Sequence, residues 1–457
     1  MEILYFEEIV KAVQGKVYIN ADKHKYNNLS TDTRKICKDS IFIALKGQNF
    51  NGNDYVEQAS SNGANLCIVD EIKFRDSNLK DNTSIILVED TRKALLDLAE
   101  YYRSKLSVKI IGITGSTGKT STKDLTAAAL SSKLKVFKTQ GNFNNEIGLP
   151  LMIFKLDNTY DAAVLEMGMS DFGEIHRLAK VARPDVAIIT NIGISHIENL
   201  KTRENILKAK MEITDFFGND NILIINDEND LLSTISEKEY KVVKIGFNED
   251  ADVQASDILV DEEHVEFSLG HNGEEGRFIV PVPGKHNILN SLLAIAAGKA
   301  LDIENNELKR GIKNLSFTSM RLDIVKGEKF TIIDDSYNAS PDSMKAALEV
   351  LDTVKGSRKI AVLGTMRELG VDSYKFHKEV AEYAKNKNVD LLIAVGEFKE
   401  AYREGLNQDN KFKGFENIED ASNFLMDNFR EKDVILVKAS RSMKFETIVN
   451  SLKGKNC

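Results

Sequence analysis

Almost continuous runs of apolar residues recur along this chain and alternate with segments of helical periodicity. The runs are short and rich in Val, Ile and Leu, and they lie at 109–114, 162–165, 186–189, 222–225, 331–333, 359–364, 391–396 and 434–437. Strands that are apolar on both faces are typical of parallel sheets, because helices cover both sides of such a sheet. The pattern therefore predicts an α/β fold built on parallel strands.

The length of 457 residues exceeds what one hydrophobic core supports, since domains usually span roughly 100–200 residues. The pattern of the chain changes near residues 108 and 318. We therefore predict a small N-terminal α/β domain at 1–108, a central parallel α/β domain at 109–317 and a C-terminal doubly wound α/β domain at 318–457.

The composition is that of a folded globular protein, with 42% apolar and 29% charged residues. A net charge of -9 disfavours a broad nucleic-acid-binding surface. The three cysteines form no CxxC pair, which argues against a zinc site or a disulfide framework. Residues 1–8 carry no basic region, and no run approaches the roughly 20 apolar residues of a membrane span. We expect a cytoplasmic protein without a membrane span.

A glycine-containing loop follows the apolar run 109–114 and precedes a helical segment. The loop and the start of the helix contain Gly115, Ser116, Thr117, Gly118, Lys119, Thr120 and Ser121. Backbone N–H groups and the helix dipole of such a loop bind phosphate oxygens, while Lys119 can reach the terminal phosphates and Thr120 can ligate Mg²⁺. The usual phosphate-loop motif has a glycine where this chain has Ile113. The segment predicts a nucleotide site, and a flexible surface loop is the alternative.

Several polar residues follow directly after apolar runs. Glu166, His196, Asp335 and Asn338 all lie at or just beyond the expected carboxyl ends of strands. Ligands bind at that edge in open parallel sheets. These side chains are therefore candidates for a binding site.

Lys210 interrupts a predicted apolar stripe. With Ile206, Ile213 and Phe217 it shares the spacing of one helix face. Burial of an ammonium without a partner is unfavourable, so this lysine must be paired, deprotonated or chemically modified. Alternatively, its long side chain carries the ammonium to the surface, and periodicity alone favours this last interpretation.

Four segments of the chain resemble the Mur ligases, ATP-dependent amide-bond ligases of bacterial cell-wall synthesis. The segments are 114–120, 141–151, 334–339 and 437–442. The phosphate loop of that family also lacks the earlier glycine. The segments are spread over all three predicted domains and are most similar to the branch that adds D-alanyl-D-alanine to UDP-N-acetylmuramoyl-tripeptide.

The resemblance implies that the first domain binds the UDP-sugar substrate, the central P-loop-type domain binds ATP, and the C-terminal Rossmann-like domain brings the amine. Positions that match substrate contacts are Ser30, Asp32, Arg34, Gly47, Asn145, Glu146, Asn338 and Arg441. Positions that match ATP contacts, besides the glycine loop, are Asn290, Arg321 and Asp335. Positions that match Mg²⁺ ligands are Thr120, Glu166, His196 and Lys210, the last as a carbamate. Lys119, Glu166, His196 and Lys210 form the implied catalytic set. We expect a monomer.

Two positions depart from the family pattern, since Thr365 stands where aspartate is usual and Ala439 where glycine is usual. Two other functions stay open. A sister ligase that adds a different amino acid would carry an Asp-Asn-Pro-Arg segment, which is missing from the sequence. A nucleotide-gated switch protein would carry Asn-Lys-x-Asp, and the nearest match, 386–389, ends in Val389.

Overall fold

The computed structural model describes residues 1–21, 25–237, 239–270, 275–316, 318 and 320–455. The chain forms two compact units. The first comprises Met1–Gly112, Leu134–Ala187 and Glu212–Asn221, and the second comprises Ile113–Lys133, Ile188–Met211 and Ile222–Cys457. The domain limits at 108 and 318 stay a prediction.

The N-terminal part of the first unit is a small α/β layer structure. Its elements are β1 (Leu4–Tyr5), α1 (Phe6–Ala12), β2 (Lys16–Ile19), β3 (Lys25–Tyr26), β4 (Asn28–Ser30), β5 (Ser40–Ile43), α2 (Val56–Asn62), β6 (Ala64–Val69), β7 (Ser84–Leu87) and α3 (Thr91–Ser104). The strand order of its main sheet is β2-β7-β6-β5-β4. β4 to β7 pair in parallel and β2 pairs antiparallel with β7. The carboxyl ends of β4 and β5 therefore lie at the same edge.

The middle of the chain alternates strands and helices. Its elements are β8 (Lys109–Thr114), α4 (Lys119–Leu130), β9 (Val136–Lys138), α5 (Gly148–Ile153), β10 (Ala162–Glu166), α6 (Glu174–Ala182), β11 (Val186–Ile189), α7 (Ile197–Leu200), α8 (Arg203–Met211) and β12 (Ile222–Asn226). In the first unit β10 pairs in parallel with β9. In the second unit the backbone N–H of Thr190 donates to the carbonyl of Thr114 at 3.0 Å, so the ends of β8 and β11 are adjacent.

The second unit continues with four strands, which the sequence pattern did not predict, and two helices. These elements are β13 (Lys241–Gly246), β14 (Val253–Val260), β15 (Val265–Leu269), β16 (Gly276–Val280), α9 (His286–Lys299) and α10 (Asn305–Lys313). β12, β13 and β14 pair in parallel, whereas β15 runs antiparallel to β14 and to β16. Ile258, Leu259 and Ile279 of these strands are exposed, so the antiparallel part is open to solvent at these positions.

The C-terminal part of the second unit is a second α/β sandwich. Its elements are β17 (Asp323–Lys326), β18 (Thr331–Asp334), α11 (Pro341–Thr353), β19 (Arg358–Gly364), α12 (Ser373–Lys385), β20 (Leu391–Val395), α13 (Lys399–Leu406), β21 (Phe412–Phe415), α14 (Ile418–Asn428), β22 (Asp433–Lys438) and α15 (Glu446–Lys453). The strand order is β17-β18-β22-β19-β20-β21. Every pair in it is parallel except β17 with β18.

Both faces of this C-terminal sheet are covered, as the continuous apolar runs predict. Neighbouring residues of β22 show the arrangement, because Leu436 packs into one buried cluster and Ile435 into another. The predicted α/β fold with parallel strands is confirmed. Among the described residues, no helix is both long enough and apolar enough to cross a membrane.

Tyr102 joins separate segments of the first unit. It lies on α3, where Leu95 and Leu98 are also fully buried. The Tyr102 hydroxyl donates to the carbonyl of Leu156 at 2.6 Å and accepts from the backbone N–H of Glu2 at 2.6 Å. Burial raises the pKa of Tyr102 to about 12. One hydroxyl thus satisfies two backbone groups that are distant in sequence.

We predict that Tyr102→Phe lowers the free energy of unfolding by about 1–3 kcal/mol, because it removes the partner of the buried Leu156 carbonyl and of the partly buried Glu2 N–H. Urea unfolding followed by circular dichroism measures the change. Tyr55→Phe is the matched control, since the Tyr55 side chain is exposed in the same unit. Equal stability of the two variants would contradict the prediction.

Candidate functional site

The glycine loop between β8 and α4 has the geometry of a phosphate-binding loop. Gly115 has φ 150° and Gly118 has φ 79°, both in the range that favours glycine. A Cβ on Gly115 would lie 1.8 Å from Oγ1 of Thr190, so only glycine fits there. α4 begins at Lys119, directly after Gly118. The predicted succession of strand, loop and helix is confirmed.

The loop is fixed by the segment that follows β11. Asn191 Oδ1 accepts from the backbone N–H of Thr117 at 2.8 Å, and its Nδ2 donates to Thr117 Oγ1 at 2.6 Å. The Ser116 hydroxyl accepts from the backbone N–H of Gly193 at 2.9 Å. Thr190 and Asn191 are therefore structural parts of the site that sequence analysis did not assign. The loop is tied down and is not the flexible surface loop considered above.

Lys119, Thr120 and Ser121 form the first turn of α4, where the helix dipole is positive. Lys119 Nζ donates to the carbonyl of Gly115 at 2.7 Å, so its ammonium lies over the loop. Thr120 is buried. The turn combines the positive end of the helix dipole with an ammonium and a hydroxyl, which are groups that bind polyphosphates.

Asn290 lies on α9 beside the start of α4. Its Oδ1 accepts from Thr122 Oγ1 at 3.2 Å, and a Cβ on Gly118 would lie 3.0 Å from the same oxygen. The structure therefore brings Asn290 to the glycine loop, although the two segments are far apart in sequence. Its expected contact with ATP stays a prediction.

His196 follows β11 and has a left-handed backbone with φ 63°. Its Nδ1 lies 2.6 Å from Oε2 of Glu368, a residue that also has a positive φ of 64°. This contact with His196 is the largest cause that holds the pKa of Glu368 below its usual value, and Lys119 adds to it. Glu368 is a neighbour that sequence analysis missed.

Lys210 is buried, with only 1% of its surface exposed. The interpretation that its ammonium reaches the surface is therefore wrong. α8 ends at Met211, so Ile213 and Phe217 lie beyond the helix that carries Lys210. Burial holds the pKa of Lys210 well below its usual value, and repulsion from Lys119 acts in the same direction. No ion pair or hydrogen bond of this amine occurs in the part of the chain that the structure describes.

Glu166 is the last residue of β10 and is buried. Asn144 Nδ2 donates to its Oε1 at 2.9 Å, and its backbone N–H donates to Thr139 Oγ1. Glu166 belongs to the first unit, while Thr120, His196 and Lys210 belong to the second. Asn144 is a further contact that sequence analysis did not assign.

Within the described ranges, no group of three or more His, Cys, Asp and Glu side chains is placed to hold a metal ion. The implied set contains only Glu166 and His196 of these types. Lys210, whose pKa burial holds below its usual value, is a further member of the implied set.

Asn145 and Glu146 have local structural partners. Asn145 Oδ1 accepts from the backbone N–H of Gly148, the first residue of α5, at 2.8 Å. Glu146 pairs with Arg177 of α6. Both positions remain next to Asn144 and thus close in sequence to the contact of Glu166. Their expected substrate contacts stay a prediction.

The expected UDP-substrate residues gather at the carboxyl ends of β4 and β5. Ser30 ends β4, and Gly47 lies shortly after β5. Hydrogen bonds from Arg34 lower the pKa of Asp32 to about 2, and the pair is bidentate, with distances of 2.9 and 2.8 Å. The side chain of Arg34 is nevertheless 84% exposed. Its guanidinium is therefore accessible to an anionic ligand.

The expected ATP and amine residues of the C-terminal part surround Tyr337. The guanidinium of Arg321 lies 4.1 Å from the centre of the Tyr337 ring and that of Arg441 lies 5.8 Å from it. Arg321 Nε is buried and has no acceptor among the described residues. Arg441 is exposed and pairs with Glu446 at 3.0 Å. A buried donor without an acceptor beside a second exposed guanidinium is suited to an anionic ligand.

Three family models match successive parts of the chain. Residues 25–103 match the Mur ligase family catalytic domain, 113–298 match the Mur ligase middle domain and 320–441 match the Mur ligase glutamate ligase domain. The first segment lies in the N-terminal part of the first unit, the second spans the middle of the chain, and the third lies in the C-terminal part of the second unit.

Whole-chain comparisons agree with these models. The chain is 39% identical over 431 residues to the UDP-N-acetylmuramoyl-tripeptide–D-alanyl-D-alanine ligase of Bacillus subtilis, covering 93% of each protein. A crystal structure of MurF from Acinetobacter baumannii superposes with a TM-score of 0.91 at 30% identity, covering 99% of each chain. MurF of Thermotoga maritima in complex with ADP gives a TM-score of 0.82 at 28% identity, covering 94% of this chain and 97% of that one. The chain belongs to the Mur ligase family.

Proposed function

We propose that this protein is an ATP-dependent ligase that joins D-alanyl-D-alanine to UDP-N-acetylmuramoyl-tripeptide, giving the UDP-pentapeptide precursor of peptidoglycan. The observation that carries the proposal is the phosphate loop, which is closed by the segment after β11. The similarity over 93% of the chain to a ligase of that name supports the substrates. The cytoplasmic location and the monomeric state of the present protein stay predictions.

The reaction we propose has two steps. A carboxylate oxygen of the tripeptide attacks the γ-phosphorus of ATP, and ADP leaves to give an acyl phosphate. The amine nitrogen of D-alanyl-D-alanine then attacks the acyl carbon, phosphate leaves, and the nitrogen loses a proton. Because the first step brings two anions together, it requires positive charge at the transferred phosphoryl group.

The residues of the phosphate loop are suited to that first step. Lys119 lies over the loop, and its ammonium can move from the Gly115 carbonyl to the terminal phosphates. We propose that Thr120, Glu166, His196 and carbamylated Lys210 hold Mg²⁺. When bound, Mg²⁺ neutralises phosphate charge and orients the reacting oxygens.

The C-terminal part of the second unit has side chains that are suited to bind the amine substrate and ATP. Arg321 has a buried donor without an acceptor among the described residues, and its guanidinium lies 4.1 Å from the centre of the Tyr337 ring. Arg441 is exposed with its guanidinium 5.8 Å from the centre of the same ring, and Asn338, the residue after Tyr337, is also exposed. We propose that Arg321 and Asp335 contact ATP and that Arg441 and Asn338 contact the dipeptide, whose carboxylate suits a guanidinium.

Phosphate release tests the proposed function directly. With ATP, Mg²⁺ and UDP-tripeptide present, we expect sustained phosphate release only when D-alanyl-D-alanine is added, because the second step consumes the amine. A sister ligase would respond to a different amine, and a switch protein would hydrolyse nucleotide without any. Lys119→Ala should abolish release, whereas Lys133→Ala, three residues beyond the end of α4, should retain it. Release by Lys119→Ala near the wild-type rate would refute the nucleotide site.

We predict that Arg34→Ala raises the KM for the UDP-substrate about tenfold or more and leaves the KM for ATP unchanged. The reason is that an exposed guanidinium at the carboxyl end of β4 would lose its contact with an anionic group. Arg75→Ala is the matched control, because Arg75 is an exposed arginine of the same unit. A comparable rise in both KM values would contradict the assignment of Arg34.

We predict that Lys210→Ala is nearly inactive and is partly rescued by a short carboxylic acid. The acid would occupy the vacated volume and replace the carbamate oxygens as a metal ligand. Steady-state phosphate release by Lys210→Ala is measured at increasing concentrations of bicarbonate and, separately, of acetate. A lysine that acts as a cation predicts rescue by small amines instead, so amine rescue without acid rescue would refute the carbamate.

A further inference from the structure

Lys438 is a second buried lysine, and the mechanism above does not use it. It is the last residue of β22, the strand between β18 and β19, and only 2% of its surface is exposed. Burial lowers the pKa of Lys438, while the neighbouring Asp335 opposes that shift. An ammonium at such a position is stable only if its partners replace its hydration.

The partners of Lys438 belong to the segment that follows β18. Lys438 Nζ donates to Oδ2 of Asp335 at 2.5 Å and to the backbone carbonyl of Asn338 at 2.9 Å. The other carboxylate oxygen of Asp335 accepts from the backbone N–H of Leu322 at 3.3 Å. The backbone N–H of Asp335 donates to the carbonyl of Val437 at 3.1 Å. The segment is therefore held by both the strand and the lysine.

The residues after Lys438 hold the neighbouring loop in the same way. The backbone N–H of Ser440 donates to the carbonyl of Thr365 at 3.2 Å, and the Ser440 hydroxyl accepts from the backbone N–H of Arg367 at 2.9 Å. Arg367 precedes Glu368, whose carboxylate lies beside His196. The exit of β22 thus organises the loops after both adjacent strands.

We propose that Lys438 is a positioning residue for ligation: its ammonium fixes the Asp335 carboxylate and the Asn338 carbonyl in the segment that contacts the nucleotide and the amine. The inference rests on the proposed function, which supplies the contacts of that segment. Lys438 itself touches no reacting atom. It acts by holding the segment after β18 in one arrangement before substrates bind, which removes an ordering cost from the reaction.

The opposite end of β22 provides a matched control. Asp433, its first residue, is fully buried and pairs with Arg358, with distances of 3.1 Å from Nε and 2.6 Å from Nη2. Arg358→Met therefore removes a buried ion pair from the same strand at the edge away from the site. A purely stabilising role of Lys438 predicts that Lys438→Met behaves like Arg358→Met.

The experiment compares Lys438→Met, Asp335→Asn, the double variant and Arg358→Met in the full-length enzyme. Steady-state phosphate release gives kcat and the KM for ATP and for D-alanyl-D-alanine, and urea unfolding gives the folded fraction. We expect kcat/KM to fall about 100-fold in both single variants, as for a misplaced reacting group. The double variant should lose little more, because the two side chains act as one unit. Arg358→Met should lower the urea midpoint and keep kcat/KM within about threefold of the wild type.

Equal kcat/KM for Lys438→Met and Arg358→Met at matched folded fraction would overturn the proposal, and so would losses that multiply in the double variant. A wild-type enzyme that releases no phosphate refutes the proposed function instead. Calorimetric ADP affinity then tests Lys438 independently. A similar loss of ADP affinity in Lys438→Met and in Asp335→Asn supports the positioning role. An ADP affinity of Lys438→Met equal to that of the wild type refutes it.

Discussion

The close approach of Gly115 to Thr190 is the contact on which the nucleotide site depends. A side chain on Gly115 would occupy the position of the Thr190 hydroxyl, so the loop can reach the segment after β11 only because glycine is there. That approach allows Asn191 to bind Thr117 through both its amide atoms. Asn191 thereby holds the loop in a fixed arrangement through the N–H groups of Ser116 and Thr117, and α4 adds its dipole at the same point. Two glycines and one asparagine thus convert a strand-to-helix connection into an anion site.

Three buried charged residues lie at the carboxyl ends of parallel strands. Glu166 ends β10, Asp335 follows β18 and Lys438 ends β22, and all three are buried. Each has polar neighbours that replace water, as burial of charge requires. Strand ends are rigid because the sheet fixes the backbone up to the last paired residue. Charged groups placed there keep their positions when no ligand is bound, which is the property that phosphoryl transfer demands.

Much of the fold could be predicted from the sequence, because continuous apolar runs identify strands that are covered on both faces. The apolar runs at 109–114 and 359–364 form the strands β8 and β19. β16 was missed, since its exposed and buried positions alternate and it carries only a short apolar stretch. The glycine loop was predictable as a local motif. The contact of Lys438 with Asp335 was not, because the two residues are 103 positions apart and only the sheet order makes them neighbours. The same holds for His196 with Glu368, where two residues with positive φ face each other.

Lys210 and Lys438 show how the surroundings decide the chemistry of one residue type. Both are almost completely buried, and burial lowers the pKa of both. Lys438 has a carboxylate at 2.5 Å, which opposes that shift and favours the ammonium. Lys210 has Lys119 nearby, which disfavours the ammonium further. A neutral amine is a nucleophile toward CO₂, whereas an ammonium has no free electron pair and can only pair with an anion. Burial and the repulsion from Lys119 both disfavour the cationic form of Lys210, and this is the physical basis of the carbamate proposed above.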